Sequence, residues 1–348
     1  MRKLVFIFSI ILSTTAGTGN AQVFEDAGQY MDYISKANND LAVTYLSYIS
    51  AVSHGKSARK VEKRRFEVLD AIFNTRQMIA GMSPWKGDRT YKDTTVVYLK
   101  LLEHIFREDY AKIVNMEEIA EQSYDAMEAY LMAQEKAGEK LDEARLKQGA
   151  VSKRFAEKNN IKLIESEDET SIKANKASEV IDYYNKLYLI FFKPYKQEMY
   201  LVEAAQKSDL VALEQNINSL GKFADESMEK LKATQNYQGD ASMIHATREA
   251  VQYYQSAAKR AKGMTNYFLA QDKWNKLKKA FDSKRSNERT KSDIDDYNQG
   301  VKDINDAVKA YNELNQQLNK ERSAMLSNWN KAADKFMDQH MPVQKRVK

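Results

Sequence analysis

Apolar side chains return every three or four residues along most of this chain, and almost nowhere every second residue. Tyr30, Ile34, Ala37, Leu41, Tyr45, Tyr48 and Val52 form one unbroken line, because steps of three and four bring helical side chains back to the same face. His54-Gly55 closes that segment. A second helix is predicted from about Ser57 to Met82, with Val61, Val68, Leu69, Ile72, Ile79 and Met82 inward. A third begins after Asp88 and is expected to turn Val97, Leu101 and Ile105 to the core, with Tyr98 and Phe106 as an aromatic shoulder. Asn115 and Glu118 have the spacing of a capping box, which predicts the start of a fourth, very long helix reaching about Lys158.

Residues 159–171, NNIKLIESEDETS, interrupt the periodicity with Glu165, Glu167, Asp168 and Glu169. A calcium loop needs alternating ligands and a central glycine, and neither is present, so the segment reads as a solvated linker. Helical patterns resume at roughly 172–206, 208–235, 240–267, 270–283 and 292–340. Pro194 falls inside the first of these and predicts a kink, since it lacks an amide donor and crowds the preceding turn. A helix with one apolar stripe has to cover it with another helix, and short turns make neighbours antiparallel. The expected fold is all-α, with elongated up-and-down helical bundles. Their order is an N-terminal bundle 22–158, an acidic linker 159–171, and a C-terminal bundle 172–341 with an extra basic helix at about 264–292. A basic tail, 342–348, follows.

Two short breaks resemble each other. SPWKGDRT, residues 83–90, carries Trp85, Gly87 and Asp88, and NYQGDAS, residues 236–242, carries Tyr237, Gly239 and Asp240 at an offset of 152. At that offset Leu99, Leu101 and Leu102 fall on Val251, Tyr253 and Tyr254. At an offset of 181, Ala126, Ala129, Tyr130 and Phe155 fall on Ala307, Ala310, Tyr311 and Phe336. The difference predicts a 29-residue insertion in the second half, between about 264 and 300, and a four-helix unit built twice. The six residues of the two breaks are expected to be structural turns. The glycine would end a helix in a left-handed conformation, the aspartate would cap the next, and the aromatic would pack the turn down.

Composition adds an address and removes several chemistries. Arg2-Lys3, the nine apolar residues Leu4–Leu12 and the small residues Gly19-Asn20-Ala21 read as a signal peptide, residues 1–21. Nine apolar residues are too few for a membrane span, which needs ~20. The protein is therefore expected to be exported, to the periplasm or the cell surface, and not to be transmembrane. Leu187–Phe192, LYLIFF, is too short to change that and reads as bundle core. The chain has no cysteine, which excludes disulfides, thiolate metal sites and a cysteine-linked lipid anchor. Its formal charge of +5 falls to +3 without Arg2 and Lys3, too mild to point to nucleic acid.

No phosphate-cradling GxxxxGK[ST], GxSxG elbow or GxGxxG follows the leader. A carboxylate-bridged di-metal bundle needs a carboxylate three residues before an inward histidine, and those positions are Ala51, Leu101, Ser242 and Met337. His104 and Glu108, one turn apart, read as a surface pair. No catalytic residue, metal or cofactor is expected. The one charged tract that invites a partner is Lys273, Lys276, Lys278, Lys279, Lys284, Arg285, Arg289 and Lys291, with Trp274 and Phe281 among them. On an exported protein such a face suits an anionic envelope component or a protein partner rather than nucleic acid. A solvated helix face is the plainer reading. Twenty tyrosines are similarly ambiguous: Tyr30, Tyr45 and Tyr48 lie on a packing face, whereas Tyr183-Tyr184 and Tyr253-Tyr254 are open.

Tyr30-Met31-Asp32-Tyr33-Ile34, Met82-Ser83-Pro84-Trp85-Lys86-Gly87-Asp88, Tyr91-Lys92-Asp93 and Tyr110-Ala111-Lys112-Ile113-Val114 resemble the first half of a family of exported, helical bacterial surface proteins of spirochaetes and Bacteroidetes. The resemblance covers about residues 25–125 and implies an envelope location and a non-enzymatic role, with no site residues to carry over. The expectation is a helical binding or structural module of the envelope, contacting an envelope polymer or a protein. The alternatives are an envelope enzyme with its site between the two halves, or a membrane-interacting helical protein.

Overall fold

The structure is a computed structural model that describes residues 24–53, 58–163 and 169–342. The leader, the His54-Gly55 break, Glu165 to Asp168 and all but the first residue of the basic tail lie outside the described residues. The helices are α1 (Ala27–Ser53), α2 (Ala58–Ala80), α3 (Thr90–His104), α4 (Tyr110–Ala120), α5 (Tyr124–Lys158), α6 (Glu169–Gln206), α7 (Leu210–Lys232), α8 (Ser242–Asp282) and α9 (Lys291–His340). A π-helical turn, Ile105–Asp109, joins α3 to α4 in one rod. No β-strand occurs among the described residues, and the all-α class is as expected.

Two local expectations are corrected. The capping box at Asn115 and Glu118 starts nothing: α4 runs through it, and α5 begins at Tyr124, where the Ser123 hydroxyl accepts from the Ala126 amide at 3.1 Å. Burial of Tyr110, Ile113 and Ala120 holds the rod helical past Asn115, so packing overrides the local signal. The separate basic helix at 264–292 does not exist either. No glycine or proline interrupts Thr265 to Asp282, and α8 runs unbroken to Asp282. α6 runs unbroken through Pro194. The carbonyl it leaves without an intrahelical donor, that of Ile190, accepts instead from the buried Ser227 hydroxyl of α7 at 2.9 Å.

The rods pack in two sets. α1, α2, the α3–α4 rod and α5 surround a core that includes Tyr30, Ile34, Ile72, Leu99 and Phe155. α6 to α9 surround a second that includes Leu187, Leu220, Val251, Tyr254 and Phe336. α6 also packs on α1 and α5, and Leu46, Met127 and Leu131 join the second core at that junction. The inward faces of α1 and α2 are those the periodicity predicts. That of the third segment is only partly so: Ile105 is buried as expected, but Val97 is 63% exposed and Leu101 39%, while Tyr91, Thr95, Leu99 and Leu102 are buried. Apolar residues surround most of α3, and on the face that is buried Thr95 accepts from Gln148 of α5 at 2.7 Å.

Contacts repeat between the sets at the offsets 152 and 181, with 153 between α1 and α6. Tyr30 lies 5.9 Å from Trp85 and 5.8 Å from Phe155, and Tyr183 lies 5.2 Å from Tyr237 and 5.5 Å from Phe336. Thr95 accepts from Gln148 as Thr247 accepts from the Trp329 indole at 3.2 Å. Leu99 and Leu102 correspond to Val251 and Tyr254 at 152, but Tyr110 and Ile113 correspond to Ala261 and Met264 at 151, all of them buried. The π-helical turn between them absorbs that one extra residue.

The two breaks are the same turn, and neither glycine ends a helix. Lys86 and Gly87 have φ of 47° and 83°, Gln238 and Gly239 have 49° and 88°, and each pair forms the centre of a bridged turn of type I′. Asp88 and Asp240 donate their amides to the Trp85 and Tyr237 carbonyls at 2.8 Å. Their carboxylates accept from the Thr90 and Ser242 amides at 2.9 and 2.7 Å, and pair with Lys158 at 2.6 Å and His340 at 2.8 Å. The bonds from Lys158 and Thr90 hold Asp88 down at about 2. Its contribution is therefore present above the ordinary value of 3.8 and lost as pH falls toward 2. Gly239→Ala is expected to cost about 1–2 kcal/mol by urea unfolding, although its Cβ would touch nothing, because the positive φ alone is unfavourable to an L-residue. Lys86→Gly, relieving the same strain, should stabilise instead. A neutral Gly239→Ala would contradict this turn.

Candidate functional site

The basic tract lies on the end of α8 and the turn beyond it, but it is not one free basic face. Lys284 pairs with Asp293 at 2.6 Å, Lys276 with Asp272 at 2.6 Å and Lys273 with Asp303 at 3.8 Å. Trp274 is turned inward onto Tyr297 at 5.0 Å, and Arg289 covers Phe281 at 4.2 Å. Lys278, Lys279 and Arg285 are exposed. The indole and phenyl rings that suggested stacking on a ligand thus pack within the chain.

His104 and Glu108 are both exposed, and no cluster of three potential metal ligands occurs among the described residues. The open tyrosines are structural. Tyr254 is fully buried, Tyr183 packs on Tyr237 and Phe336, Tyr184 on Trp329, and the Tyr253 hydroxyl donates to Glu198 at 2.7 Å. LYLIFF is bundle core, and no described helix is long and apolar enough to cross a membrane.

The concave site lies where α6 meets α1 and α5. Two adjoining cavities of about 290 and 140 Å³ share Tyr45, Gly138, Asp142, Ala174 and Ser178. They exist because the facing positions are small: a Cβ on Gly138 would meet nothing within 4 Å, and Ala174 and Ser178 oppose it from α6. Tyr45, Tyr48, Phe106 and Tyr110 form an aromatic floor. Phe106 and Tyr110 stack at 4.7 Å, and Tyr48 meets Tyr110 edge-on at 5.5 Å. Burial pushes Tyr45 up to about 12 and Tyr110 well above its usual range, so these phenols stay neutral and act only as hydrogen-bonding groups.

The rim is acidic. Glu135, Glu139, Asp142 and Asp182 line the larger cavity, and among the described residues no lysine, arginine or histidine does. Arg145, on the smaller cavity, pairs with Asp142 at 3.5 Å. Asp182 is open to solvent at the mouth yet surrounded by three helices. Partial burial pushes its carboxyl above the usual range, and Glu135, Asp142 and Glu179 add to this. Sequence reasoning missed these residues. Ser178, Asp182 and Asn185 recur at helical spacing as an ordinary solvated stripe would, and Gly138 shares its long helix with a second internal glycine, Gly149, so it did not stand out.

Fold and site define an all-α protein of two packed helical sets with an acid-rimmed, aromatic-floored groove at their junction. No protein-family model, no curated protein and no solved structure matches the chain.

Proposed function

We propose that this protein is a non-enzymatic, exported binding module of the bacterial envelope that takes an amphipathic organic cation in the groove between α1, α5 and α6. The leader and the family resemblance support the envelope location. The groove carries the binding reading: its walls combine an apolar aromatic floor with four carboxylates, of which only Asp142 meets a cation, Arg145, among the described residues. An amine finds opposite charge at the rim and aromatic faces below, and aromatic rings attract cations electrostatically. Neutral phenols and a carboxylate rim without a histidine or nucleophile pair favour holding a ligand over transforming it.

A straight-chain alkyl diamine is expected to raise the melting temperature in proportion to the logarithm of its concentration, whereas the matching dicarboxylate should not. Gly138→Leu fills the groove and should abolish that shift while leaving the unliganded fold at least as stable, since leucine is the better helix former. Asp182→Asn should weaken the diamine effect and stabilise the unliganded protein at neutral pH. The sign follows from the raised carboxyl: its favourable contribution is complete below the ordinary carboxylate value and is lost as pH rises through the folded-state value. The gain from asparagine should therefore vanish in acid. Equal shifts from diamine and dicarboxylate, or a shift that survives Gly138→Leu, would reject the groove as the site.

A further inference from the structure

Beyond Phe268, α8 and α9 leave their bundle as an antiparallel arm, turned at 283–290, and the core resumes at Leu318. Between those two residues Gly300 is the only buried position. This arm is where the second half carries its predicted insertion. Its seam is aromatic: Phe281 lies 4.3 Å from Tyr297, Tyr267 lies 4.7 Å from Tyr311, and Leu277 and Trp274 close over Gly300. Two helices alone do not cover it. Ile294, Val301 and Val308 recur every seven residues, one line along α9, with Ile294 46% and Val308 37% exposed.

Charge is divided between the helices. The α8 stretch carries Lys273, Lys276, Lys278 and Lys279 against Asp272 and Asp282, and the α9 stretch carries Asp293, Asp295, Asp296, Asp303 and Asp306 against Lys291, Lys302 and Lys309. Lys278, Lys279, Asp295 and Asp296 have no ion pair among the described residues, and all four are exposed. A surface with a positive excess on one helix and a negative excess on the other is complementary to itself under a two-fold axis along the arm, which sets each α8 beside the other copy's α9. All four neighbours then run antiparallel, as in an ordinary four-helix bundle. Rotation about such an axis preserves height. Because Leu277 lies beside Gly300 and Phe281 beside Tyr297, Lys278 and Lys279 come within about one turn of the aspartates across the axis.

We propose that the arm is a dimerisation element. A second copy of this chain covers the Ile294–Val301–Val308 line, with Lys278 and Lys279 facing Asp295 and Asp296 of the partner subunit. Light scattering of the full chain should give the dimer mass at micromolar concentration. Ile294→Lys with Val308→Lys should give monomer with unchanged helicity and unchanged Trp329 fluorescence. Lys278→Glu/Lys279→Glu and Asp295→Lys/Asp296→Lys should each weaken self-association at least about tenfold through like-charge contacts. An equimolar mixture of the two charge variants should dimerise again, because both contacts in the mixed dimer are attractive. A monomeric wild type, dimers that persist in both charge variants, or a mixture that stays monomeric would each overturn the proposal.

Discussion

Glu198→Ala is expected to lower the unfolding free energy of the second helical set by about 3 kcal/mol, the lower part of the range for breaking a buried ion pair. Glu198 of α6 is 3% exposed and grips Arg322 of α9 through two bonds of 2.8 and 2.9 Å. Removing it leaves a guanidinium inside the bundle with its opposite charge gone, and desolvation of that charge sets the cost. The Tyr253 hydroxyl is less affected, since the Leu318 carbonyl at 3.2 Å remains as an acceptor. The first helical set has Tyr45 and Leu141 at the corresponding positions and builds no ion pair there. Glu198→Leu with Arg322→Leu should therefore recover most of the loss, because apolar replacement of both partners is often close to neutral. Urea unfolding followed at Trp329 measures both. A double variant as unstable as the single one would show that the pair supports the bundle by more than mutual neutralisation.

Phe336→Ala should cost about 3–5 kcal/mol, the usual range for truncating a fully buried aromatic. Phe336 is wholly inaccessible and packs against Tyr183 and Tyr237, both at 5.5 Å, and His340 at 4.7 Å. These rings come from α6, the type I′ turn and α9, so the cavity left behind cannot close by moving one side chain. The turn should loosen with it, and the amide of Asp240, bonded to the Tyr237 carbonyl, should exchange faster with solvent. Amide exchange confined to α9, with the turn still protected, would show that the ring does not couple the two.

The readable part of the fold was its local part. Period-three-and-four spacing marked the helical stretches but not the boundary between α4 and α5 or the continuity of α8, and the inward residues of α1 and α2 were legible because each of those helices has one narrow apolar stripe. In α3 apolar residues at 96–99 and 101–102 leave several faces equally apolar, and packing against α2 and α5, together with the bond from Gln148 to Thr95, selects among them. The π-helical turn was invisible as a structure, although the change of offset from 152 to 151 is its trace. The basic tract misled for a related reason. A linear run of lysines shows its own charges but not the aspartates of α9 that fold back against it.

By itself the sequence determined the all-α class, the helical segments and the repeated Gly-Asp turn, because helix periodicity and turn residues act over a few neighbouring positions. Only the tertiary structure decided that α6 lies against α1 and α5 and leaves a groove. Its floor comes from α1, the π-helical turn and α4, and its rim from α5 and α6, segments separated by many tens of residues. A concavity belongs to three helices at once, and no periodicity within one of them encodes the space left between them.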